Sequence, residues 1–262
     1  MRLKDKVILV TGSSTGIGEG MVRIFAREGA RVVVHGLDEA AAREVARSIT
    51  AQGGRAGHVS GDLEDPAAPE RMIQAVIAQA GRLDGLVNNA AVMTRGTLEA
   101  ADCATFDRTI AINLRAPLLL IRAALPHFRR QGGGRVLNIG SVNAYSGERN
   151  QCVYSVSKGG LMTLTRNLAD AHGREGVRVN QFNVGWTLTP NEYALKQREG
   201  LPPDWPQRVP REFAPSGRIL TPEDIAWAAV YFLSDEGALV NGAVLDLEQF
   251  PMIGRMQERS AT

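Results

Sequence analysis

The chain has little cysteine and little histidine. Cys103 and Cys152 are its only cysteines in 262 residues, and they lack metal-ligand spacing. His35, His58, His127 and His172 are scattered, so nothing in the sequence points to metal-assisted chemistry. No apolar run approaches the length needed to span a bilayer, and Met1-Arg2-Leu3-Lys4-Asp5-Lys6 has no apolar signal core. The expectation is a cytoplasmic protein with no membrane partner. Neither charge is in excess: 30 Lys and Arg against 28 Asp and Glu leave +2. With no basic run or basic helix face, nucleic acid is not an expected partner. No internal repeat and no linker breaks the chain. Residues 1–262 therefore read as a single domain, with 44% hydrophobic and 22% charged residues, enough to bury one full core.

What is present is more specific. Tyr154 and Lys158 stand four apart in Tyr-Ser-Val-Ser-Lys, thirteen residues after Ser141. On a helix, positions i and i+4 share a face. A free phenol, with a pKa of about 10, is a poor base near neutrality. A neighbouring ammonium favours the phenolate, so the sequence leads us to expect that Lys158 lowers the Tyr154 pKa. The pair then suits proton exchange with an alcohol or carbonyl oxygen, and a serine hydroxyl suits holding that oxygen. Alone, such a spacing also occurs on solvated helix faces.

The N-terminus supplies context. Val7-Ile8-Leu9-Val10 reads as a buried strand and leads into Thr11-Gly12-Ser13-Ser14-Thr15-Gly16-Ile17-Gly18. A helix-like pattern follows, with Met21, Val22, Ile24 and Phe25 apolar. A strand, a glycine-rich turn and a helix in that order form a dinucleotide phosphate site. Glycine lets the backbone approach the pyrophosphate, and the helix N-terminus offers free N–H groups.

Strands and helices alternate along the rest. Strands are expected at 6–10, 31–35, 55–60, 84–88, 134–139, 177–183 and 242–247. Helices are expected at 17–28, 38–52, 66–81, 105–131, 152–173 and 221–234, with Pro117 and Pro126 able to kink or shorten the fourth. The fold class is α/β, a doubly wound parallel sheet of Rossmann type with helices on both faces. Ligands belong at the carboxyl ends of its strands, where Thr11, Asn89, Ser141 and Gly185 fall.

These motifs, in this order, resemble the short-chain dehydrogenase/reductase family over nearly the whole chain, to about residue 247. Thr11 to Gly18 fits the family's Thr-Gly-x-x-x-Gly-x-Gly. Asn88-Asn89-Ala90-Ala91 fits Asn-Asn-Ala-Gly with alanine in the last place. Asn113, Ser141, Tyr154 and Lys158 fit the catalytic tetrad. The resemblance implies a nicotinamide cofactor held by Gly12, Ser14, Gly16, Ile17, Gly18, Gly36, Leu37, Asp62, Leu63, Asn89, Tyr154, Lys158 and Thr189, with Asp62 contacting adenine. It implies that Tyr154 exchanges the proton and that Ser141 holds the substrate oxygen. Lys158 would also bind the nicotinamide ribose, and Asn113 would hold a relay water. Two departures stand out. Val184-Gly185 replaces the usual Pro-Gly after strand six. Asp246-Leu247-Glu248-Gln249 replaces Asp-Gly-Gly, so the tail must leave the sheet differently.

Cofactor choice falls at Val34-His35-Gly36-Leu37-Asp38. No acid occupies Gly36 to take the ribose hydroxyls, and no base occupies Leu37 or Thr15 to pair a 2′-phosphate. A phosphate without a cationic partner is poorly accommodated, so the reading leans to NAD over NADP, with His35 as a residue that could reverse it. Residues 186–218 carry six prolines and two tryptophans. Only short helical pieces are expected there, and the resemblance makes the segment a substrate lid.

Asn143, Gln151 and Trp186, with Asn191 and Glu192, are expected to face the small-molecule substrate. Their amides and carboxylate favour a sugar or polyol, ahead of an acyl or cyclic ketone. A dehydratase or epimerase would need a longer substrate domain, and a cofactor-binding protein without activity would not need the tetrad. The resemblance also implies a homotetramer built on helices 105–131 and 152–173, through Leu118, Leu119, Leu120, Ile121, Leu125, Phe128, Leu161, Met162 and Leu164. The apolar tail residues Phe250, Met252 and Ile253 are expected to pack over a neighbouring subunit.

Overall fold

The computed structural model describes residues 1–250. Seven parallel strands form one sheet in the order β3-β2-β1-β4-β5-β6-β7. They are β1 (Val7–Val10), β2 (Arg31–Gly36), β3 (Arg55–Ser60), β4 (Gly85–Asn88), β5 (Gly134–Ser141), β6 (Val177–Val184) and β7 (Val244–Leu247). The order reverses between β1 and β4, which opens a crevice at the carboxyl edge of the sheet.

Strand alternation assigns the two faces. Ile8 and Val10 of β1 point into a core shared with α1 (Gly16–Arg27), α2 (Glu39–Ala51) and α8 (Pro222–Leu233). Val7 and Leu9 point into the opposite core, with α3 (Ala68–Ala80), α5 (Ala116–Arg130) and part of α6 (Cys152–His172). Near-continuous apolar strands are what a sheet covered on both sides requires. Burying each large apolar side chain contributes roughly 1.5–3 kcal/mol, so Phe25, Phe128 and Phe182, all fully buried, weigh heavily.

The expected helix 105–131 is not one regular helix. It divides into α4 (Cys103–Ile110), a π-helical turn at Ala111–Arg115 and α5. Pro117 has no N–H to give the Asn113 carbonyl four residues earlier, and the ladder widens there. Pro126 is tolerated inside α5. The window Cys103–Arg130 is also long and apolar enough to cross a membrane by length and composition, contrary to the sequence expectation. However, 56% of the 18-residue stretch that meets this test is buried within the protein, as in a core helix.

The segment 186–218 is ordered. It holds α7 (Pro190–Arg198) and a small apolar centre around Trp205, Val209 and Ala214, joined by Ile219 just beyond it. Trp186 stacks on Trp205 at 5.6 Å and 9°, and Tyr193 lies beside Trp205. The two ends of the segment are laced together: Leu188 N–H donates to the Leu220 carbonyl at 2.7 Å, and Leu220 N–H to the Trp186 carbonyl at 3.1 Å.

Without the glycine turn, the chain leaves β7 across its own subunit. Gly185 N–H donates to the Leu247 carbonyl. The Gln249 amide oxygen accepts from Ser216 N–H and Oγ, while its nitrogen donates to the Arg218 carbonyl. The beginning of the tail therefore binds the base of segment 186–218 in the same chain. Phe250 is half-buried; Met252 and Ile253 lie outside the described residues.

Candidate active site

The glycine-rich loop following β1 is fixed by contacts that leave no room for a side chain at Gly12 or Gly18. Gly12 adopts φ +61°, a conformation L side chains rarely take. A methyl group on Gly18 would strike the Gly12 carbonyl oxygen and come within 2.6 Å of the Asn89 amide nitrogen. Asn89 donates to the Thr11 and Gly12 carbonyls at 2.8 and 3.0 Å. Thr11 Oγ1 accepts from the N–H groups of Asn89 and Ala90, both at 3.0 Å. β1 and β4 thus share one polar clasp beneath the N-terminus of α1. A close-packed loop leading into a helix N-terminus is a cradle for a dinucleotide pyrophosphate, and the residues present fit that group.

His35 is 2% exposed and belongs to this scaffold. Its Nδ1 accepts from Gly12 N–H at 3.0 Å, and its Nε2 pairs with the Gly61 carbonyl at 3.0 Å. That arrangement defines the neutral Nε2–H tautomer, and burial holds the pKa below its ordinary value. His35 is therefore unavailable to pair a phosphate.

Gly36 ends β2 against Ser14: a side chain there would meet Ser14 Oγ at 2.9 Å. Leu37 is exposed. The Asp38 carboxylate caps α2, accepting from Ala40 and Ala41 N–H. Asp62 lies exposed after β3, taking the Glu64 N–H, and Leu63 beside it is buried. Thr189 caps α7, and its methyl group lies alongside Gly16.

Beside this loop opens a cavity of about 480 Å³. The hydroxyls of Ser141 and Tyr154 line it with Lys158, Ile17, Asn89 and Thr189. Five separate stretches of chain meet there: the first turn of α1, the turn after β4, the end of β5, the first turns of α6 and the segment after β6. Burial pushes the Tyr154 hydroxyl up to about 12, against the pull of its hydrogen bond with Ser141. Burial pushes Lys158 down to about 8. The expected lowering of the tyrosine by Lys158 is not what dominates, because desolvation disfavours both charged forms at once. Lys158 Nζ donates to the Ile139 carbonyl at 2.8 Å.

Asn113 is 1% exposed and sits in the π-helical turn. Its Oδ1 accepts from Val92 N–H at 2.9 Å, and its Nδ2 donates to the Val92 carbonyl and to Ser157 Oγ. Ser157 lies one residue before Lys158, so Asn113 ties the loop after β4 to α6.

The expected substrate contacts Asn143, Gln151, Trp186 and Glu192 all line the cavity; Asn191 is exposed and does not. Asn143 donates to Gln151 Oε1 at 2.8 Å, and Trp186 Nε1 donates to Glu192 at 2.8 Å. Sequence reasoning missed Arg95, Glu148, Lys196 and Phe213, which also line it. They come from loops and from α7, and no local spacing links them to the tetrad.

The family model described as enoyl-(acyl carrier protein) reductase matches residues 12–248. The chain belongs to the short-chain dehydrogenase/reductase family. Among the relatives of this short-chain dehydrogenase/reductase is D-threitol dehydrogenase of Mycolicibacterium smegmatis, 33% identical, with 94% of this chain and 93% of that one covered. A 3-oxoacyl (acyl-carrier-protein) reductase from Agrobacterium tumefaciens with NADP bound superposes with a TM-score of 0.86 at 29% identity, covering 94% and 93% of the two chains. A 3-ketoacyl-(acyl-carrier-protein) reductase from Brucella melitensis complexed with NADH gives 0.82 at 31%, covering 94% and 97%. This short-chain dehydrogenase/reductase is an NAD(P)-dependent oxidoreductase acting on an alcohol/carbonyl pair.

Proposed function

We propose that the substrate is a hydroxylated secondary alcohol or its ketone, a sugar or polyol, and that the cofactor is NAD. The convergence of the Ser141 and Tyr154 hydroxyls with the Asn143 and Gln151 amides on one cavity carries this reading. Tyr154 exchanges the proton with the substrate oxygen, and Ser141 holds that oxygen by a hydrogen bond. When bound, nicotinamide gives or takes the hydride at the substrate carbon. Gly12, Ser14, Gly16, Ile17, Gly18, Gly36, Leu37, Asp62, Leu63, Asn89 and Thr189 hold the dinucleotide. Lys158 binds the nicotinamide ribose and biases Tyr154 electrostatically once the site is filled. Asn113 keeps α6 in register with the loop after β4 and serves the proton relay. Residues 186–218 cover the substrate as a lid.

The lean to NAD rests on charge. Leu37 offers no cation, His35 is buried between Gly12 and Gly61, and the nearby Asp38 carboxylate opposes a 2′-phosphate. Titration with NADH and NADPH tests it; a much tighter constant for NADPH overturns it. The substrate class is tested by following reduced-cofactor absorbance across sugars, polyols and apolar ketones. Turnover confined to apolar ketones would sink the polyol assignment.

We also propose a cytoplasmic homotetramer. Leu120, Ile121, Phe128 and Leu161 are spent in the subunit's own core, which narrows the surface available for assembly. Leu118 at 41%, Phe106 at 43% and Val156 at 53% exposure remain on α5, α4 and α6. Light scattering at micromolar concentration should report a tetramer, and Leu118→Asp should dissociate it. A monomeric parent protein rejects the assembly.

A further inference from the structure

The cavity carries charged side chains that the chemistry of an alcohol/ketone pair does not require. Arg95, from the loop after β4, and Lys196, from α7, both line the same cavity as Ser141 and Tyr154. One carboxylate bridges them from outside the lining: Glu199 Oε1 accepts from Arg95 Nη1, and Glu199 Oε2 accepts from Lys196 Nζ at 2.8 Å. Glu199 stands just past the end of α7. The side chains of Arg95 and Lys196 are only 33% and 20% exposed, and Lys196 also lies 5.7 Å from the Trp186 ring centre.

The donor count is unequal. A guanidinium has five N–H groups and an ammonium three, yet Glu199 takes one from each. Arg95 and Lys196 share that one carboxylate, which leaves N–H donors of both cations unmatched by it. The lining also holds the carboxylates of Glu148 and Glu192. Glu192 accepts from Trp186 Nε1, and Glu148 accepts from Gln151 Nε2. A polar pocket built this way penalises partners that leave its donors unmatched.

We propose that Arg95 and Lys196 form a carboxylate subsite, so that the substrate is a hydroxy acid or keto acid whose carboxylate sits at the lid end while its reacting oxygen sits at Tyr154. Arg95 offers its free N–H groups to the carboxylate, and Lys196 supplies a second charge from the lid. Binding then joins the loop after β4 to α7 through the substrate as well as through Glu199. The proposal rests on the alcohol/ketone reading of the site and narrows it.

Matched pairs test it, each acid against the alcohol of the same skeleton: gluconate against sorbitol, and 3-hydroxybutyrate against 1,3-butanediol. The expected result is a higher kcat/KM for the acid in at least one pair, by roughly tenfold or more, the value of charge-assisted hydrogen bonds. Arg95→Met and Lys196→Met should shrink that ratio, through KM more than kcat. If Glu199, Arg95 and Lys196 only latched the lid, both members of a pair would suffer alike and the ratio would stand. Equal turnover of acid and alcohol in both pairs, or an unchanged ratio in both variants, overturns the carboxylate subsite and leaves the alcohol/ketone reading intact. No cofactor-linked turnover of any member would instead count against the alcohol/ketone reading. In that case tryptophan fluorescence with NADH present decides the subsite. Quenching by either acid at about 10 mM, reduced in Arg95→Met, supports it, and no response to either acid rejects it.

Discussion

Lys158 lies one helical turn from Tyr154, its ammonium 5.5 Å from the centre of the phenol ring. Both reach the cavity from the same face of α6, yet the ammonium's hydrogen bond goes to the Ile139 carbonyl. The phenol's partner is Ser141. The two groups are coupled through space, with the proton assignment left to the phenol. Tyr154→Phe removes the hydroxyl and keeps the ring. Turnover should fall by roughly two to four orders of magnitude while the dissociation constant for NADH changes little. A variant with near-normal kcat would end the assignment of the proton to Tyr154.

Lys158 carries a stability cost that its position makes readable. Its folded pKa, about 8, lies below the ordinary 10.5. The unfolded chain therefore binds more protons between those values, and wild-type stability rises with pH across that window. Lys158→Met removes the cost. The ceiling is on the order of 3 kcal/mol at 1.36 kcal/mol per pH unit, less the lost bond to Ile139. The variant should melt higher than the wild type at pH 7, with the gap closing toward pH 10.5. Its cofactor affinity should fall. Equal melting temperatures across the whole range would show that the ammonium is not desolvated.

Gly18 is a test of the cradle that needs no activity measurement. Alanine there would push the Gly12 carbonyl and the Asn89 amide apart. Overpacking of this kind costs roughly 1–3 kcal/mol. Gly18→Ala should weaken dinucleotide binding at least tenfold and lower Tm by several degrees. An unchanged dissociation constant would separate this loop from the cofactor.

Asp224 anchors the base of segment 186–218 to α8. The Arg218 guanidinium holds its carboxyl down at about 2, helped by Thr221, whose N–H and hydroxyl it accepts. The folded pKa is depressed below the ordinary 3.8, so the stabilisation is present above pH 4 and is lost as pH falls toward 2. The side chain is about one-third exposed, which discounts its worth to about 1 kcal/mol. Asp224→Asn should lower Tm by about 2–4 °C at pH 7 and by almost nothing near pH 2. A difference that persists in acid would assign the effect to packing instead.

The local layout was legible in the residues. Apolar runs marked central strands such as β1 and β2, because a strand covered on both faces needs unbroken hydrophobic sequence, whereas the edge strand β3 reads Arg-Ala-Gly-His-Val-Ser. Glycine and proline marked the turns, because they control φ and donor supply. The spacing of Tyr154 and Lys158 placed them on one helix face for the same geometric reason. In segment 186–218 the density of proline marked only that any helix there would be short.

Tertiary structure alone decided the rest, since each item depends on groups distant in the chain. The π-helical turn at Asn113 needed Val92 and Ser157 to be satisfied. His35, a candidate phosphate partner by position, became scaffold because Gly12 and Gly61 close on its two nitrogens. Tyr154 and Lys158 shift in opposite directions because burial penalises each charge separately, and burial is set by what folds over them. Arg95 and Lys196 meet at Glu199 only because the end of α7 comes against the loop after β4. Sequence periodicity reports one element's own faces; it carries no record of which loops a fold brings to the same few ångströms of space.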